Sequence, residues 1–146
     1  MSSITCQFVR PDKLLFEGHA KHLTLLTPSG EVGVWPGHAA EICALGDGVV
    51  RLHPVDEEGG GQVNVIISGG YAEISNDMVI ILADHARRSD DIDPKVVRQT
   101  RQKAFDAKEQ LAADDHSNAY YDEKIKWCNL LLKHAASSDA TATVEE

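Results

Sequence analysis

Three side chains in the first part of the chain have the chemistry of a thiol-dependent active site. Cys43 supplies a nucleophile, His38 a base and Asp84 an orienting carboxylate. Nothing in their spacing brings the three together, and Cys43 lies within an apolar segment, where burial makes a thiol unreactive. We therefore predict that the chain has no catalytic residues and is not itself an enzyme.

Metal and phosphate chemistry have little support either. His19 and His22 are three residues apart in an extended segment, so we expect their side chains to point to opposite faces rather than to one metal ion. The chain has an odd number of cysteines, three, and no C-x-x-C pair: Cys6, Cys43 and Cys128. This favours reduced core thiols over a disulfide framework or a zinc site. The phosphate-binding motif G-x-x-x-x-G-K-[ST] is absent from the sequence. We predict neither a metal site nor a resident cofactor.

The composition argues against two further classes of protein. The 146 residues have a formal net charge of −9, which is unlike a nucleic-acid-binding surface. The longest apolar run, 78–83, is far shorter than the roughly 20 residues of a membrane-spanning helix, so we expect no direct insertion into a membrane. The first residues carry no export or import signal, which predicts a cytosolic chain. Residues 1–93 have 6 basic against 14 acidic side chains, whereas residues 94–134 have 8 against 6, so the chain has two electrostatically different parts.

Residues 1–86 have the pattern of short β-strands. Every second residue of segments 4–8 and 63–67 is apolar, which is the period of a half-buried strand. Turn-forming residues at 11–12, 28–30, 46–48 and 76–77 separate the apolar segments. This spacing predicts an antiparallel β-sandwich. Residues 56–61, Asp-Glu-Glu-Gly-Gly-Gly, are predicted to form an exposed hairpin loop.

Residues 87–135 are predicted to form an antiparallel hairpin of two helices. Asp93-Pro94 is a helix start, because Asp caps free backbone amides and Pro at the first helical position lacks only an unpaired N–H. Small or apolar residues then recur at 97, 100, 104, 107 and 111, and a second stripe at 121, 125, 128 and 132 follows a turn at 114–118. The first stripe is mostly small, so its burial stabilises the hairpin only weakly. Residues 136–146 are predicted to be a flexible tail.

Two segments resemble the sequence hallmarks of one family. Thr27–Ala39 reads Thr-Pro-Ser-Gly-Glu-Val-Gly-Val-Trp-Pro-Gly-His-Ala, which has the spacing Gly-x-x-Gly-x-x-Pro-x-His. Ser68–Asp84 begins with Ser-Gly-Gly and continues as an aliphatic strand that ends in Ala-Asp. Both resemble the corresponding segments of epsilon subunits of F-type ATP synthases, which are called delta in mitochondria. The order of sandwich and hairpin is also similar, so the resemblance covers about residues 3–134.

The resemblance implies a non-catalytic subunit of the central stalk, which couples an ion-driven rotor to ATP synthesis. Its implied partners are the gamma subunit, on a sandwich face that the residues do not identify, and the polar loops of the membrane rotor ring. The implied location is peripheral, at the cytoplasmic face of the inner (plasma) membrane. The positions that match the family's rotor-ring contact are Glu31, Val32, Gly33 and His38. The residues expected to shape the adjoining structural loops are Gly30, Pro36, Gly37, Ser68, Gly69 and Gly70.

In bacterial relatives the hairpin can extend into the catalytic head, where its basic residues block ATP hydrolysis. The resemblance implies such regulatory contacts for the cations of this hairpin, although an ordinary solvated helix face explains each of them equally well. The cations in question are Arg98, Arg101, Lys108, Lys124 and Lys126.

Some bacterial relatives also bind ATP through an Ile/Leu-Asp-x-x-Arg-Ala motif in the hairpin. Here Ile92 and Asp93 begin the motif, but Val96 occupies the position of its arginine. Arg98 lies two residues further on, about 200° around a helix. We therefore predict that ATP binding is weak or absent. The rival interpretation of the whole chain is a free-standing β-sandwich adaptor or ligand-binding module outside any rotary machine.

Overall fold

The computed structural model describes the backbone of residues 2–145 and the side chains of residues 2–135. Contacts divide the chain into two units, Met1–Asp90 and Asp91–Glu146. In the described part of the first unit the strands are β1 (Ile4–Arg10), β2 (Lys13–Thr27), β3 (Gly30–Val34), β4 (Glu41–Ala44), β5 (Asp47–Pro54), β6 (Val63–Ser75) and β7 (Met78–Arg88). The second unit contains the helices α1 (Pro94–Glu109) and α2 (Ser117–Glu145). The predicted class, a β-sandwich followed by two helices, is confirmed.

The long strand β2 closes the sandwich into a circuit. Its first part pairs antiparallel with β1, and its second part pairs with β3 on one side and β5 on the other. From β5 the sheet continues through β6 and β7 and returns to β1, so five strands close on themselves. The β1–β7 pair is parallel, whereas the neighbouring pairs are antiparallel. Closure removes the edges of these five strands and leaves the short strands β3 and β4 at the margins.

The core of the first unit lies inside this circuit. Alternate residues of each strand point inward, as the period of a strand requires. The largest fully buried side chains of this core include Ile4, Phe8, Leu23, Leu25, Leu52, Ile67 and Ile81. The outward residues of the same strands therefore form the surfaces available to partners.

A β-bulge in β2 changes the faces of two histidines. The register between β2 and β5 shifts between Ala20 and His22, and both Ala20 and Leu23 are fully buried. Because the bulge adds one residue between these inward positions, His19 and His22 both lie on the outer side of the strand. The prediction that they point to opposite faces is wrong, since it assumed a regular strand.

Ser68, Gly69 and Gly70 lie within β6, which corrects the expectation that they shape a loop. Gly69 has a φ of +72° and Gly70 a φ of +124°. On one side, β6 pairs with β5 up to Ser68 and with β4 from Tyr71 onward. The two glycines therefore form a bend at which one continuous strand exchanges neighbours.

The acidic segment after β5 is held against β2. Residues 56–58 form a short 3-10 turn. The Glu58 carboxylate accepts the backbone N–H of His19 at 3.0 Å and lies 3.1 Å from Nδ1 of the same residue. Lys21 forms an ion pair with Asp56 at 2.6 Å. Residues 56–59 remain exposed and the segment joins the antiparallel strands β5 and β6, so the predicted exposed hairpin loop is confirmed, with β2 supplying partners for two of its carboxylates.

The helices of the second unit form an antiparallel hairpin. Nζ of Lys108 lies 2.5 Å from the Asp122 carboxylate, and Nη1 of Arg101 donates to Oδ1 of Asn129 at 2.9 Å. From the first contact to the second, the residue on α1 lies seven positions earlier in the chain and the residue on α2 seven positions later, as antiparallel helices require. The predicted hairpin is therefore confirmed.

The buried stripes of the hairpin agree with the predicted ones in part. Val97 and Ala104 are buried on α1, as predicted. On α2 the stripe passes through Cys128 and Leu131, so Leu131 is buried where Leu132 was expected. The backbone of α2 extends to Glu145. The flexible tail predicted for residues 136–146 falls on residues whose side chains lie outside the described part, and it stays a prediction.

Substitution of Gly70 tests the bend in β6. A Cβ on Gly70 would overlap the backbone of Leu82 and lie 2.7 Å from Cα of Ala83, whereas a Cβ on Gly30, which has the same φ of +124°, meets nothing within 4 Å. We expect Gly70→Ala to lower the free energy of unfolding by about 3 kcal/mol, through strain and overpacking. The matched control Gly30→Ala should lose about 1 kcal/mol, through strain alone. Equal losses in chemical denaturation would contradict the bend.

Candidate functional site

Residues 27–39, which we call the knuckle, contain two turns and the strand β3. The first turn joins β2 to β3 and is closed by one side chain. Oγ1 of Thr27 donates to the carbonyl oxygen of Gly30 at 2.8 Å and accepts the N–H of Ser29 at 3.2 Å. Gly30 has a positive φ, which glycine adopts without steric cost. The turn is therefore fixed by its own residues.

The second turn follows β3 and is tethered to a distant part of the chain. The N–H of His38 donates to the carbonyl oxygen of Trp35 at 3.1 Å, and Gly37 between them has a φ of +89°. The N–H of Gly37 donates to Oδ1 of Asp77 at 2.6 Å. Asp77 lies in the turn between β6 and β7. A residue 40 positions away therefore holds this end of the knuckle.

Glu31 forms a bidentate ion pair with Arg51. Nη1 of Arg51 donates to Oε1 of Glu31 at 3.2 Å and Nη2 donates to Oε2 at 2.6 Å. Glu31 lies on β3 and Arg51 on β5, with β2 between them. The hydrogen bonds and the charge of the guanidinium lower the pKa of Glu31, so its carboxylate is ionised at neutral pH. The knuckle therefore presents an oriented pair of opposite charges.

The indole of Trp35 lies over Gly33. A Cβ on Gly33 would overlap the indole ring, so a side chain at this position would displace the indole. The indole stacks on His22, with ring centroids 5.0 Å apart, and His22 stacks on His53 at 4.0 Å. Trp35 remains 56% exposed. Val32 instead packs against the core, so its side chain does not face outward as a contact residue would.

His38 is fixed by local contacts. Its Nδ1 lies 2.7 Å from the carbonyl oxygen of Ala39, and because a carbonyl can only accept, this nitrogen carries the proton. Its Nε2 lies 3.8 Å from the Glu41 carboxylate. The two polar candidates of the knuckle, Glu31 and His38, therefore have separate partners. Both remain at the surface of the first unit.

The surroundings of the candidate thiol do not support catalysis. Cys43 is buried, and burial together with the neighbouring carboxylate of Glu41 raises the pKa of its thiol. An activated nucleophile needs the opposite shift. Asp84 of β7 lies beside Gly69 of β6. Among the described residues, no group of three His, Cys, Asp or Glu side chains could hold a metal ion.

A second surface of the first unit is apolar. Paired residues form a row across β4, β6, β7, β1 and β2, which consists of Ala44, Tyr71, Leu82, Val9 and Leu14. We call this row, together with Ile42 and Met78 on the same side of β4 and β7, the apolar face; Glu73, which pairs with Ile42 and Ile80, lies among these residues. Tyr71 is 62% exposed, Leu82 53% and Ile42 75%. Several exposed apolar side chains on one side of a sheet indicate an interaction surface.

Several of the candidate cations have contacts inside the hairpin. Lys108 and Arg101 join the two helices, as described above, and Nζ of Lys124 lies 5.8 Å from the ring centroid of Tyr120. Arg98 and Lys126 have exposed side chains. As far as the structure describes them, α1 and α2 are too short or too polar to span a bilayer.

The start of α1 uses the acidic residue of the candidate nucleotide motif. Oδ1 of Asp93 accepts the N–H of Lys95 at 3.1 Å, and Pro94 follows at the first helical position. This is the predicted helix start. Val96, at the position of the family's arginine, is half exposed. Weak or absent ATP binding stays a prediction.

The sequence alone did not identify the partners that hold the knuckle. Three of these partners point outward from the neighbouring strands β2 and β5: His22, Arg51 and His53. The fourth, Asp77, was recognised only as a turn residue. If the pairing of β2 with β3 and β5 had been known, the alternation of inward and outward residues would have placed the first three on the same outer surface as the knuckle. No local signal identifies the acceptor role of Asp77.

The sandwich and the motifs have counterparts in known proteins. The family model for the ATP synthase delta/epsilon chain, β-sandwich domain, matches residues 3–89. An ATP synthase epsilon chain of Chromohalobacter salexigens is 35% identical over 120 residues, which are 82% of this chain and 83% of the relative. The corresponding chain of Bordetella petrii is 35% identical over 107 residues, 73% of this chain and 74% of the relative.

Two solved structures share the fold. One is the mitochondrial ATP synthase of Euglena gracilis, solved with OSCP, F1 and c-ring. A chain of that structure matches with a TM-score of 0.61 and 24% identity, and the match covers 96% of this chain and 81% of that one. The other is the central stalk and c-ring of the Tetrahymena thermophila mitochondrial ATP synthase, with a TM-score of 0.51, 16% identity, and 92% and 97% coverage.

Removal of the Asp77 carboxylate is expected to loosen the knuckle. Asp77→Ala deletes the acceptor of the Gly37 N–H, and the loss of about 1 kcal/mol predicts roughly fivefold faster hydrogen exchange at that amide. The control Asp77→Asn keeps a side-chain oxygen and tolerates the same positive φ, so its exchange should stay near that of the wild type. Exchange followed by NMR measures both variants. An unchanged rate in Asp77→Ala would disprove the tether.

Proposed function

The chain belongs to the family of ATP synthase delta and epsilon chains, and from this we propose that it is a non-catalytic central-stalk subunit of an F-type ATP synthase. It couples the ion-driven rotation of the rotor ring to ATP synthesis. The match of the family model to residues 3–89, which include all seven strands described above, carries the proposal. In this role the subunit lies peripherally, at the cytoplasmic face of the inner (plasma) membrane.

The knuckle is the surface proposed for the rotor ring. A docking surface must keep its shape before it binds, because ordering a loop on binding costs affinity. The tether from Gly37 to Asp77 and the turn closed by Thr27 support such a shape. Its polar contact groups are the Glu31–Arg51 pair and His38, which suits the polar loops of a membrane ring.

The apolar face is the surface proposed for the gamma subunit. A permanent joint that transmits torque needs a larger gain in free energy than exposed polar contacts provide. Burial of apolar surface supplies about 25 cal/mol per Å², whereas an exposed ion pair contributes about 0–1 kcal/mol. Tyr71, Leu82 and Ile42 offer the required apolar area on one side of the sandwich.

Capture of the tagged chain from its native membranes tests both the function and the apolar face. We expect the wild-type chain to bring down gamma-type, catalytic and rotor-ring subunits. Tyr71→Asp combined with Leu82→Asp should lose the gamma subunit, because charges would be buried without partners. The control Tyr120→Asp alters a tyrosine of similar exposure, 60% against 62%, on α2 and should keep it.

Two results of this capture would count against the proposal in different ways. Recovery of the wild-type chain without any synthase subunit would favour the free-standing adaptor. Retention of gamma by the folded Tyr71→Asp, Leu82→Asp variant would leave the stalk role intact and exclude the apolar face as the joint.

The hairpin is proposed to restrain ATP hydrolysis. The charge of residues 94–134 differs in sign from that of the sandwich, with 8 basic against 6 acidic side chains. Arg98 and Lys126 have exposed side chains, and separation of the two helices would also release Lys108 and Arg101 from their contacts across the hairpin. The small buried residues Val97 and Ala104 favour such a separation, because they stabilise the pair less than larger side chains would.

Deletion of residues 89–146 is expected to raise ATP hydrolysis by the assembled enzyme while leaving its assembly intact. The matched variant Arg98→Glu with Lys126→Glu keeps the hairpin and reverses two exposed charges. It should raise hydrolysis in the same direction by a smaller factor, and more at low ionic strength, because exposed charges are screened by salt. A steady-state ATPase assay measures both. Unchanged hydrolysis after the deletion would confine the hairpin to a structural role.

A further inference from the structure

Three stacked rings support the knuckle from the sandwich. The indole of Trp35 lies nearly parallel to His22, at 5.0 Å and 15°, and His22 lies over His53 at 4.0 Å and 26°. Trp35 follows β3, His22 belongs to β2 and His53 to β5, so the stack crosses three neighbouring strands. Gly33 has no side chain, so the indole can lie over it, and the stack on His22 holds the indole there.

The charges around the stack oppose its protonation. β2 contributes Lys21, which is paired with Asp56, and β5 contributes Arg51, which is paired with Glu31 of β3, so both neighbouring carboxylates are already engaged by cations. Burial, followed by the charges of His22, Arg51 and Lys21, lowers the pKa of His53. His53 is therefore neutral at neutral pH.

The hydrogen bonding of His22 adds a second penalty for protonation. Its Nδ1 is buried and has no hydrogen-bond partner among the described residues. A proton on Nδ1 would leave a buried donor unsatisfied, which costs about 1–3 kcal/mol. The attraction of an imidazolium for the indole face returns only about 0.5–1 kcal/mol at an exposed site. A protonated stack is therefore less stable than an open one.

We propose that the Trp35–His22–His53 stack is a proton-sensitive support of the knuckle. With His53 neutral, the stack holds the indole over Gly33. When the stack takes up a proton, the indole is released into solvent and the knuckle loses its shape on that side. The consequence for docking rests on the proposed contact with the rotor ring: acid weakens that contact from within this subunit.

The pH dependence has a definite sign. The folded state disfavours protonated His53, so it binds fewer protons than the unfolded chain once the pH falls below about 6.5, the ordinary pKa of histidine. The closed stack is fully populated above that pH and is lost progressively as the pH falls toward the lowered pKa of His53.

Trp35 itself reports the state of the stack. The chain has two tryptophans, so Trp127→Phe leaves Trp35 as the single indole. We expect its accessibility to acrylamide to rise about twofold, and its emission to move to longer wavelength, between about pH 8 and about pH 5. The variant with His22→Gln and His53→Gln should lose the pH dependence, whereas His116→Gln, in the loop between the helices, should keep it. A flat titration of the Trp127→Phe chain, or an unchanged one in the double glutamine variant, would overturn the proposal.

Two further measurements separate this proposal from the proposed function. In the unmodified chain, the NMR signals of the His53 ring and of the Trp35 indole N–H should shift with one midpoint, and separate midpoints would overturn the coupling between them. The affinity of the chain for purified rotor ring should fall about tenfold over the same pH range, and the double glutamine variant should not show this fall. A chain that does not bind the ring at any pH would exclude the ring contact, while the accessibility of Trp35 would still decide whether the stack responds to protons.

Discussion

The hydrogen bond between the Gly37 N–H and the Asp77 carboxylate is the interaction on which the knuckle depends. It is short, 2.6 Å, and it joins the segment between β3 and β4 to the turn between β6 and β7. The carbonyl oxygen of Asp77 also accepts the N–H of Thr5 at 2.8 Å, so the start of β1 reaches the same point. Asn76 and Asp77 both have positive φ, which gives this tight turn its geometry. The shape of the knuckle therefore follows from the closed circuit of strands, and not only from contacts within the knuckle.

The two surfaces of the sandwich differ in the kind of interaction they offer. The apolar face provides free energy through burial, and it needs little orientation because the hydrophobic effect is not directional. The knuckle provides geometry: the Glu31–Arg51 pair is too exposed to contribute much stability, yet its two hydrogen bonds orient the carboxylate. A subunit that joins a shaft to a ring requires both, a strong joint on one side and a shaped contact on the other.

The sequence predicted those features that depend on neighbours along the chain. The alternating apolar residues predicted the strands, and Asp93-Pro94 predicted the start of α1, because strand period and helix capping are local effects. It did not predict features that depend on strand pairing. The bulge that turns His22 outward, the bend at Gly69–Gly70 and the pairing of Glu31 with Arg51 each require a neighbouring strand whose register no local pattern specifies. The docking position of the knuckle followed from the family resemblance, whereas the tether that shapes it required the fold.

The central claim is that residues 27–39 form an ordered surface that docks on another protein. Hydrogen exchange of these residues in the isolated chain and in the assembled synthase tests it most directly. We expect Gly37 and His38 to exchange slowly in the isolated chain, and the outward residues near Glu31 and Trp35 to gain protection on assembly. Rapid exchange throughout the knuckle of the isolated chain, or no added protection in the complex, would contradict it.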